Sequence, residues 1–336
     1  MLPSSVRAVR SDVAFERGGK RSAHVWKYRA LFVLLALVGV FRVIWVKKDG
    51  MYWLLTIIFL PLVVEMIITL KRRQGQDYKW FSPPIFLFLI SIIPSIWILE
   101  LHHRHGLVSD PECQSLDSWD SLRKLISQNK TLGNQTNNDY LKTFQNVFSA
   151  VCSNEWILAL HQLVLILLIF GKWLLPIGGG VSKGELSEIL LTFVGTGADI
   201  LEFNSETLND IKDRRHHVVY IILGVWTWSM LQFPIHPSAA NSAGENEESE
   251  DTHEDSWCAN HISDIWSIVQ ALLIQDGPFL VVRLTVMTYY RVFNQMLAFF
   301  AFKNFLVFIL NLYKLAVLSQ HCRSCRHDPV RASDVP

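Results

Sequence analysis

Ionisable residues lie inside or at the ends of long apolar segments of this sequence. Asp199 and Glu202 are three residues apart, which places both carboxylates on one face of a helix. Glu100 closes one apolar segment, and His161 lies near the start of another. Because carboxylates and imidazoles bind divalent cations and carry protons, their convergence would form a cation or proton site. The alternative is that each group caps a helix end or pairs with a neighbour.

A second chemical signal is the string Asp276-Gly277-Pro278, with Arg283 following about two turns later on the same helix face. A proline inside a helix removes an N–H donor and frees a carbonyl. Broken helices near the bilayer midplane expose such backbone groups to substrates in many transporters. The pattern predicts a broken helix and a gated polar site, or a charged track for an ion or headgroup. The alternative is that Asp276 and Arg283 satisfy each other or partners on other helices and fix the packing.

Three further polar residues are candidates to complete a buried network with these groups. They are Lys303, Asn304 and Glu65, each within an apolar segment. A charge inside a bilayer costs about 2.5–3.5 kcal/mol on insertion scales, so Lys303 and Glu65 each mark either a pathway or a structural pair.

The composition places these residues in a membrane protein. Of the 336 residues, 50% are hydrophobic and only 18% are charged, whereas about 25% are charged in a typical soluble domain. Mean hydropathy is +0.24. These values exclude an ordinary soluble enzyme, a disordered chain and a disulfide-stapled secreted domain. The net charge of +1 gives no bulk field that would attract nucleic acid.

The apolar runs predict an all-α fold, a polytopic helical membrane bundle of about eight transmembrane helices. Runs of about 20 residues suffice to cross a bilayer. They are continuous rather than alternating, which favours helices over a barrel. The predicted spans cover approximately residues 30–46, 52–70, 84–101, 156–175, 186–203, 218–233, 262–288 and 292–318.

Basic residues predict the orientation and divide the chain into three parts. Residues 1–29 form a basic N-terminal segment, 30–318 the transmembrane domain, and 319–336 a tail that contains arginines. Basic segments remain preferentially in the cytosol, so both termini are predicted to be cytosolic. The membrane is expected to be the plasma membrane or one of the secretory pathway.

Two polar loops are the longest connections between the predicted spans. Residues 102–155 contain glycosylation sequons at Asn129 and Asn134, which predicts a luminal or extracellular glycosylated loop. Cys113 and Cys152 flank the sequons and are candidates for a disulfide in that oxidising space. The loop at 236–261 is strongly acidic, a composition typical of a solvated tether.

Several longer strings of the sequence resemble the transmembrane protein 26 family. The similarity extends over about residues 30–318 and implies a multipass membrane protein with a glycosylated loop between its third and fourth spans. It implies no particular reaction or ligand. The strings are YKWFSP at 78–83, WILELHH at 97–103, WLLPIGGG at 173–180, FVGTGADILEF at 193–203, WTWSMLQFP at 226–234, IQDGPFLVVR at 274–283 and KNFL at 303–306.

The sequence predicts a membrane protein that is not an enzyme and that uses no cofactor or metal. No nucleophile elbow, zinc-protease or dinucleotide-binding motif is present. The leading hypothesis is a polar pathway for an ion, small solute or lipid headgroup. The candidate pathway residues are Glu100, His161, Asp199, Glu202, Asp276 and Arg283. The alternative is a non-transporting surface or scaffold protein that acts through its two polar loops. The expected partner is the lipid bilayer, and a homo-oligomer is left open.

Overall fold

The structure is a computed structural model, and it describes residues 28–72, 81–105, 153–174, 183–210, 216–235 and 265–327. The predicted glycosylation sites, the two candidate disulfide cysteines and the acidic loop lie outside these residues and stay predictions. Residues 1–27 and 328–336 also lie outside the described residues.

The described residues form eight helices and contain no strand. Two of them are irregular: α2 begins as a 3₁₀ helix, and α7 contains one π-helical turn, at Leu272–Asp276. The helices are α1 (Tyr28–Lys47), α2 (Gly50–Phe59 continuing into Leu60–Arg72), α3 (Pro83–His105), α4 (Ser153–Leu174), α5 (Lys183–Asp210), α6 (His216–Met230), α7 (Ile265–Thr288) and α8 (Gln295–His327).

Six of these helices are long and apolar enough to cross a bilayer: α1, α2, α3, α4, α7 and α8. The expected helical membrane protein is therefore confirmed, while a count of eight spans stays a prediction. Helix α6 is apolar but has only 15 residues. Helix α5 has 28 residues, about 42 Å, but it carries several carboxylates and is less apolar.

Apolar side chains between α1, α3, α4 and α6 form the centre of the bundle. Phe32 on α1 stacks on Phe88 of α3 with ring centroids 4.7 Å apart. Trp226 of α6 is completely buried, as are Ile92 of α3 and Leu168 of α4. Helix α5 packs against α4 and α6, and α7 packs against α6 and α8. The two C-terminal helices are thereby held beside α5.

A short backbone contact ties the start of α3 to the chain that follows α6. The Ser82 N–H donates to the carbonyl of Pro234 at 2.7 Å, and Phe81 forms an isolated bridge with Ile235. The buried ammonium of Lys172, near the end of α4, donates to the Ile235 carbonyl at 2.7 Å. Three helices are therefore fixed to one another at this end of the bundle.

Glu65 lies in an ion pair between the first two helices, not in a network with the charged residues of α5 and α7. The Arg29 guanidinium donates to both oxygens of Glu65, at 3.0 and 2.9 Å, and Thr69 donates to the same carboxylate at 2.7 Å. The expectation that Glu65 joins that network is wrong because its partners lie at the start of α1 and one turn along α2.

The Arg29–Glu65 pair gives a test of how this fold tolerates buried charge. Glu65→Ala removes one carboxylate partner of the buried Arg29 guanidinium and is expected to lower stability by up to roughly 3–5 kcal/mol. The double variant Arg29→Met/Glu65→Leu removes both charges and should recover most of that loss. The thermal unfolding midpoint in detergent micelles measures both effects. Equal midpoints for the single and double variants would contradict this prediction.

Candidate functional site

The π-helical turn of α7 follows from Pro278, which has no N–H to donate. The carbonyls four and five residues before a proline, here Ile274 and Leu273, receive no bond from it. The N–H of Gly277 reaches back five residues to the Leu272 carbonyl. The indole N–H of Trp228, on α6, donates to the Leu273 carbonyl at 3.2 Å and supplies a missing donor.

Helix α7 therefore passes the Asp276-Gly277-Pro278 string without a break, and the predicted broken helix is wrong. Asp276 and Gly277 both keep right-handed helical backbone angles. The proline is accommodated by widening one turn and by an indole donor from a neighbouring helix. Such π-helical turns occur frequently at functional sites.

The widened turn requires glycine at position 277 because there is no room for a side chain there. A Cβ added to Gly277 would lie 2.6 Å from the carbonyl oxygen of Leu272, which is a backbone atom that cannot move aside alone. The glycine is thus needed for close backbone approach rather than for an unusual φ angle.

Asp276 lies at the end of the π-helical turn and faces α8. It is only 8% exposed, and its carboxylate accepts from the side-chain amide of Asn311 at 2.9 Å. Its neighbour Gln275 is also buried, and its amide donates to Asp199 of α5 at 3.3 Å. Gln232, just after α6, donates in turn to the Gln275 oxygen at 3.0 Å.

The centre of the site is a set of ion pairs between α5, α7 and α8. Lys303 of α8 donates to Asp199 at 2.6 Å and to Glu202 at 3.1 Å. Arg283 of α7 donates to the other oxygen of Glu202 at 2.7 Å. Glu202 is thus shared by two cations, and one-turn spacing on α5 allows Lys303 to bridge both carboxylates.

We call this set of residues the charged cluster, and all its members lie on α5, α7 and α8. It contains two cations and three carboxylates, together with two amide side chains. Its members are Asp199, Glu202, Gln275, Asp276, Arg283, Lys303 and Asn311.

The charged cluster has one sealed end and one open end. The Arg283 side chain is 1% exposed and that of Glu202 20%, whereas Lys303 and Asp199 are 32% and 36% exposed. The guanidinium of Arg283 lies 5.6 Å from the Phe203 ring and 5.3 Å from the Phe300 ring. These cation–π contacts and the apolar rings close that end.

Arg283 does not pair with Asp276, although both are on the same face of the predicted helix. Two helical turns separate them by about 10 Å along the axis, which exceeds a hydrogen bond. Glu202 of α5 lies directly opposite Arg283 instead. The Arg283 Nε and Nη1 atoms are buried and have no hydrogen-bond partner among the described residues.

His161 makes no hydrogen bond to Asp199 or Glu202 within the described part of the chain, and the predicted convergence of Glu100 with these carboxylates stays a prediction. The His161 ring is held at 2.9 Å from the carbonyl of Ile157 on its own helix, and it lies edge-on to Trp226 at 4.8 Å. His161 faces α6, while the carboxylates of α5 face α7 and α8.

Glu100 and His161 are instead close to each other. Glu100 is buried at the end of α3, and an electrostatic interaction connects it to His161. Within the described part of the chain, no group of three or more His, Cys, Asp or Glu side chains is arranged to hold a metal ion.

Sequence reasoning did not single out the amide members of the charged cluster. Gln275 and Asn311 connect Asp199 and Asp276 to α7 and α8. The available signal was a polar side chain inside an apolar segment, which is costly in a membrane unless it is bonded. The sequence indicates Lys303 only as an addition to the network, whereas in the structure it bonds both carboxylates of α5.

A family model described as transmembrane protein 26 matches residues 23–314. The chain belongs to the transmembrane protein 26 family. The matched range contains every residue of the charged cluster and confirms the resemblance that the sequence strings indicate. The protein is an integral membrane protein with several apolar helices suited to a lipid bilayer. No solved structure matches the chain.

The π-helical turn can be tested by adding one methyl group. Gly277→Ala is expected to lower the thermal unfolding midpoint because the new Cβ displaces the Leu272 carbonyl. Gly224→Ala on α6 is the matched control, since its Cβ would meet nothing within 4 Å and alanine favours a helix by about 1 kcal/mol. A Gly277→Ala protein as stable as the Gly224→Ala protein would contradict the requirement for glycine.

Proposed function

We propose that the charged cluster provides a polar pathway for an ion, a small solute or a lipid headgroup. The observation that carries this proposal is an unbroken series of bonded charged side chains, which runs from the open end of the charged cluster to its sealed end. Lys303 and Asp199 are about one-third exposed, and Glu202 connects them to the fully buried Arg283. A polar chain that begins at an accessible surface and reaches a buried charge suits the binding of a charged solute.

A purely architectural role accounts less well for the same residues. Buried ion pairs are weak evidence for stability, because apolar residues of similar size often stabilise as well. If the charged cluster only held the helices together, every buried polar group in it would be expected to have a hydrogen-bond partner. Instead, three carboxylates face two cations, and two nitrogens of Arg283 are left without a partner among the described residues.

The role we propose is binding and passage rather than catalysis. The carboxylates of Asp199 and Glu202 are each bonded by cations, and that of Asp276 is bonded by an amide. That the protein is not an enzyme stays a prediction.

Asp276→Asn tests the pathway. Asparagine retains an oxygen that accepts from Asn311, so the fold should be preserved while the charge is lost. We expect flux in proteoliposomes to fall at least tenfold for whichever probe the wild type conducts. The probes are Na⁺, K⁺, Cl⁻ and a fluorescent phosphatidylethanolamine whose transfer between leaflets is followed. Thermal unfolding should be unchanged.

The double variant Arg29→Met/Glu65→Leu is the control for this experiment. It also removes a carboxylate within a helix, but it removes the Arg29 cation with it and lies between α1 and α2. Flux should persist in this variant. Wild-type protein that conducts none of the probes, or an Asp276→Asn variant that conducts normally, would contradict the pathway and favour a scaffold role through the polar loops.

A further inference from the structure

We infer that the open end of the charged cluster binds a zwitterion, a ligand with an ammonium group and an anionic group a few ångströms apart. This inference rests on the proposed function and specifies its ligand class. The structural basis is the Lys303–Asp199 ion pair, which is the most exposed pair of the cluster and joins α8 to α5 at 2.6 Å.

Charge pairing selects among ligand classes at this ion pair. A simple anion that took Lys303 would leave Asp199 without its cation, and a simple cation on Asp199 would displace Lys303. Each simple ion would therefore satisfy one of these one-third-exposed charges and leave the other without its partner in the pair. A zwitterion places an ammonium on Asp199 and an anionic group on Lys303, so every charge remains paired.

A second cation lies beside Lys303 on the same aromatic ring. Lys303 and Arg283 contact the Phe300 ring at 5.6 and 5.3 Å. Arg283 also has two buried nitrogens that have no partner among the described residues. Because Arg283 lies at the sealed end, the anionic group would be bonded by Lys303, and the Arg283 charge would favour it from the other end of the ring.

The ammonium of the ligand would take the position that Lys303 now occupies. That position lies 2.6 Å from an oxygen of Asp199 and 3.1 Å from one of Glu202. The Phe300 ring that now contacts the Lys303 ammonium would face the ligand's ammonium in the same way. Lys303, on a flexible side chain, would turn toward the anionic group.

The short distance within the pair limits the size of the ligand. An amino acid and the ethanolamine phosphate of a phospholipid both carry the two charges close together. Their recognition chemistry is shared, and the experiment below separates a free solute from a lipid headgroup.

The first arm measures thermal unfolding of the purified protein in detergent with three small probes. L-alanine carries both charges, propionate only the anion and ethylamine only the cation. A ligand that binds the folded state raises the unfolding midpoint with concentration. If the ligand is a free solute, alanine should raise the midpoint, and propionate or ethylamine at the same concentration should not.

The second arm measures lipid binding in nanodiscs and by native mass spectrometry. Zwitterionic phosphatidylethanolamine is compared with anionic phosphatidylglycerol. If the ligand is a lipid headgroup, the protein should retain phosphatidylethanolamine selectively and alanine should have no effect. Selective binding in either arm supports the inference. Binding in neither arm, or stabilisation by propionate or ethylamine equal to that by alanine, overturns it.

Paired variants locate the site. Lys303→Met/Asp199→Leu removes both charges together and leaves the Arg283–Glu202 pair in place. We expect at least a tenfold loss of affinity for the zwitterion. Arg29→Met/Glu65→Leu removes a pair elsewhere and should bind normally. Unchanged affinity in the Lys303 and Asp199 variant would overturn the assignment.

These binding measurements do not depend on flux, and the comparison of probes uses the wild-type protein, so a poorly folded variant does not remove the test. Selective zwitterion binding without flux would contradict only the proposed pathway. Flux without zwitterion selectivity would contradict only the ligand class.

Discussion

A charge placed among membrane helices has to find a partner, and this requirement determines how the C-terminal half of the bundle assembles. Helix α5 carries Asp199 and Glu202 into the interior, and its composition is too polar for it to be among the six apolar candidate spans. Lys303 bonds both of these carboxylates, and so joins α8 to α5 at one level. Because hydrophobic burial gives little preference between lipid and protein surroundings inside a bilayer, polar contacts of this kind have a large part in specifying which helices pack together.

The same constraint applies to backbone groups, and α7 shows how it is met. Pro278 removes a donor, and the indole of Trp228 supplies one to the Leu273 carbonyl. Gly277 leaves room for the widened turn, which then presents Asp276 to Asn311 on α8. An aromatic residue of α6, a glycine and a proline thus act together to place one carboxylate.

The sequence was sufficient to predict the features that depend on local spacing. Helical spans, the shared face of Asp199 and Glu202, and burial of Asp276 and Arg283 all follow from apolar runs and helical periodicity. The partners could not be predicted, because they lie far apart in the chain: Arg283 bonds a carboxylate 81 residues away. Nothing local indicated that His161 would face Trp226 rather than α5, or that a proline would widen α7 instead of breaking it.

The sharing of Glu202 gives the charged cluster a property that separate ion pairs would lack. One oxygen of Glu202 bonds Lys303 at the open end, and the other bonds Arg283 at the sealed end. In the proposed binding mode, the ligand's ammonium replaces the Lys303 ammonium beside Asp199 and Glu202, so Glu202 keeps a cation on each oxygen. The Arg283–Glu202 pair that joins α7 to α5 is preserved, whereas the direct bonds from Lys303 of α8 to α5 are replaced by bonds through the ligand. Occupancy at the open end therefore alters how α8 is held against α5 and leaves the link between α7 and α5 in place.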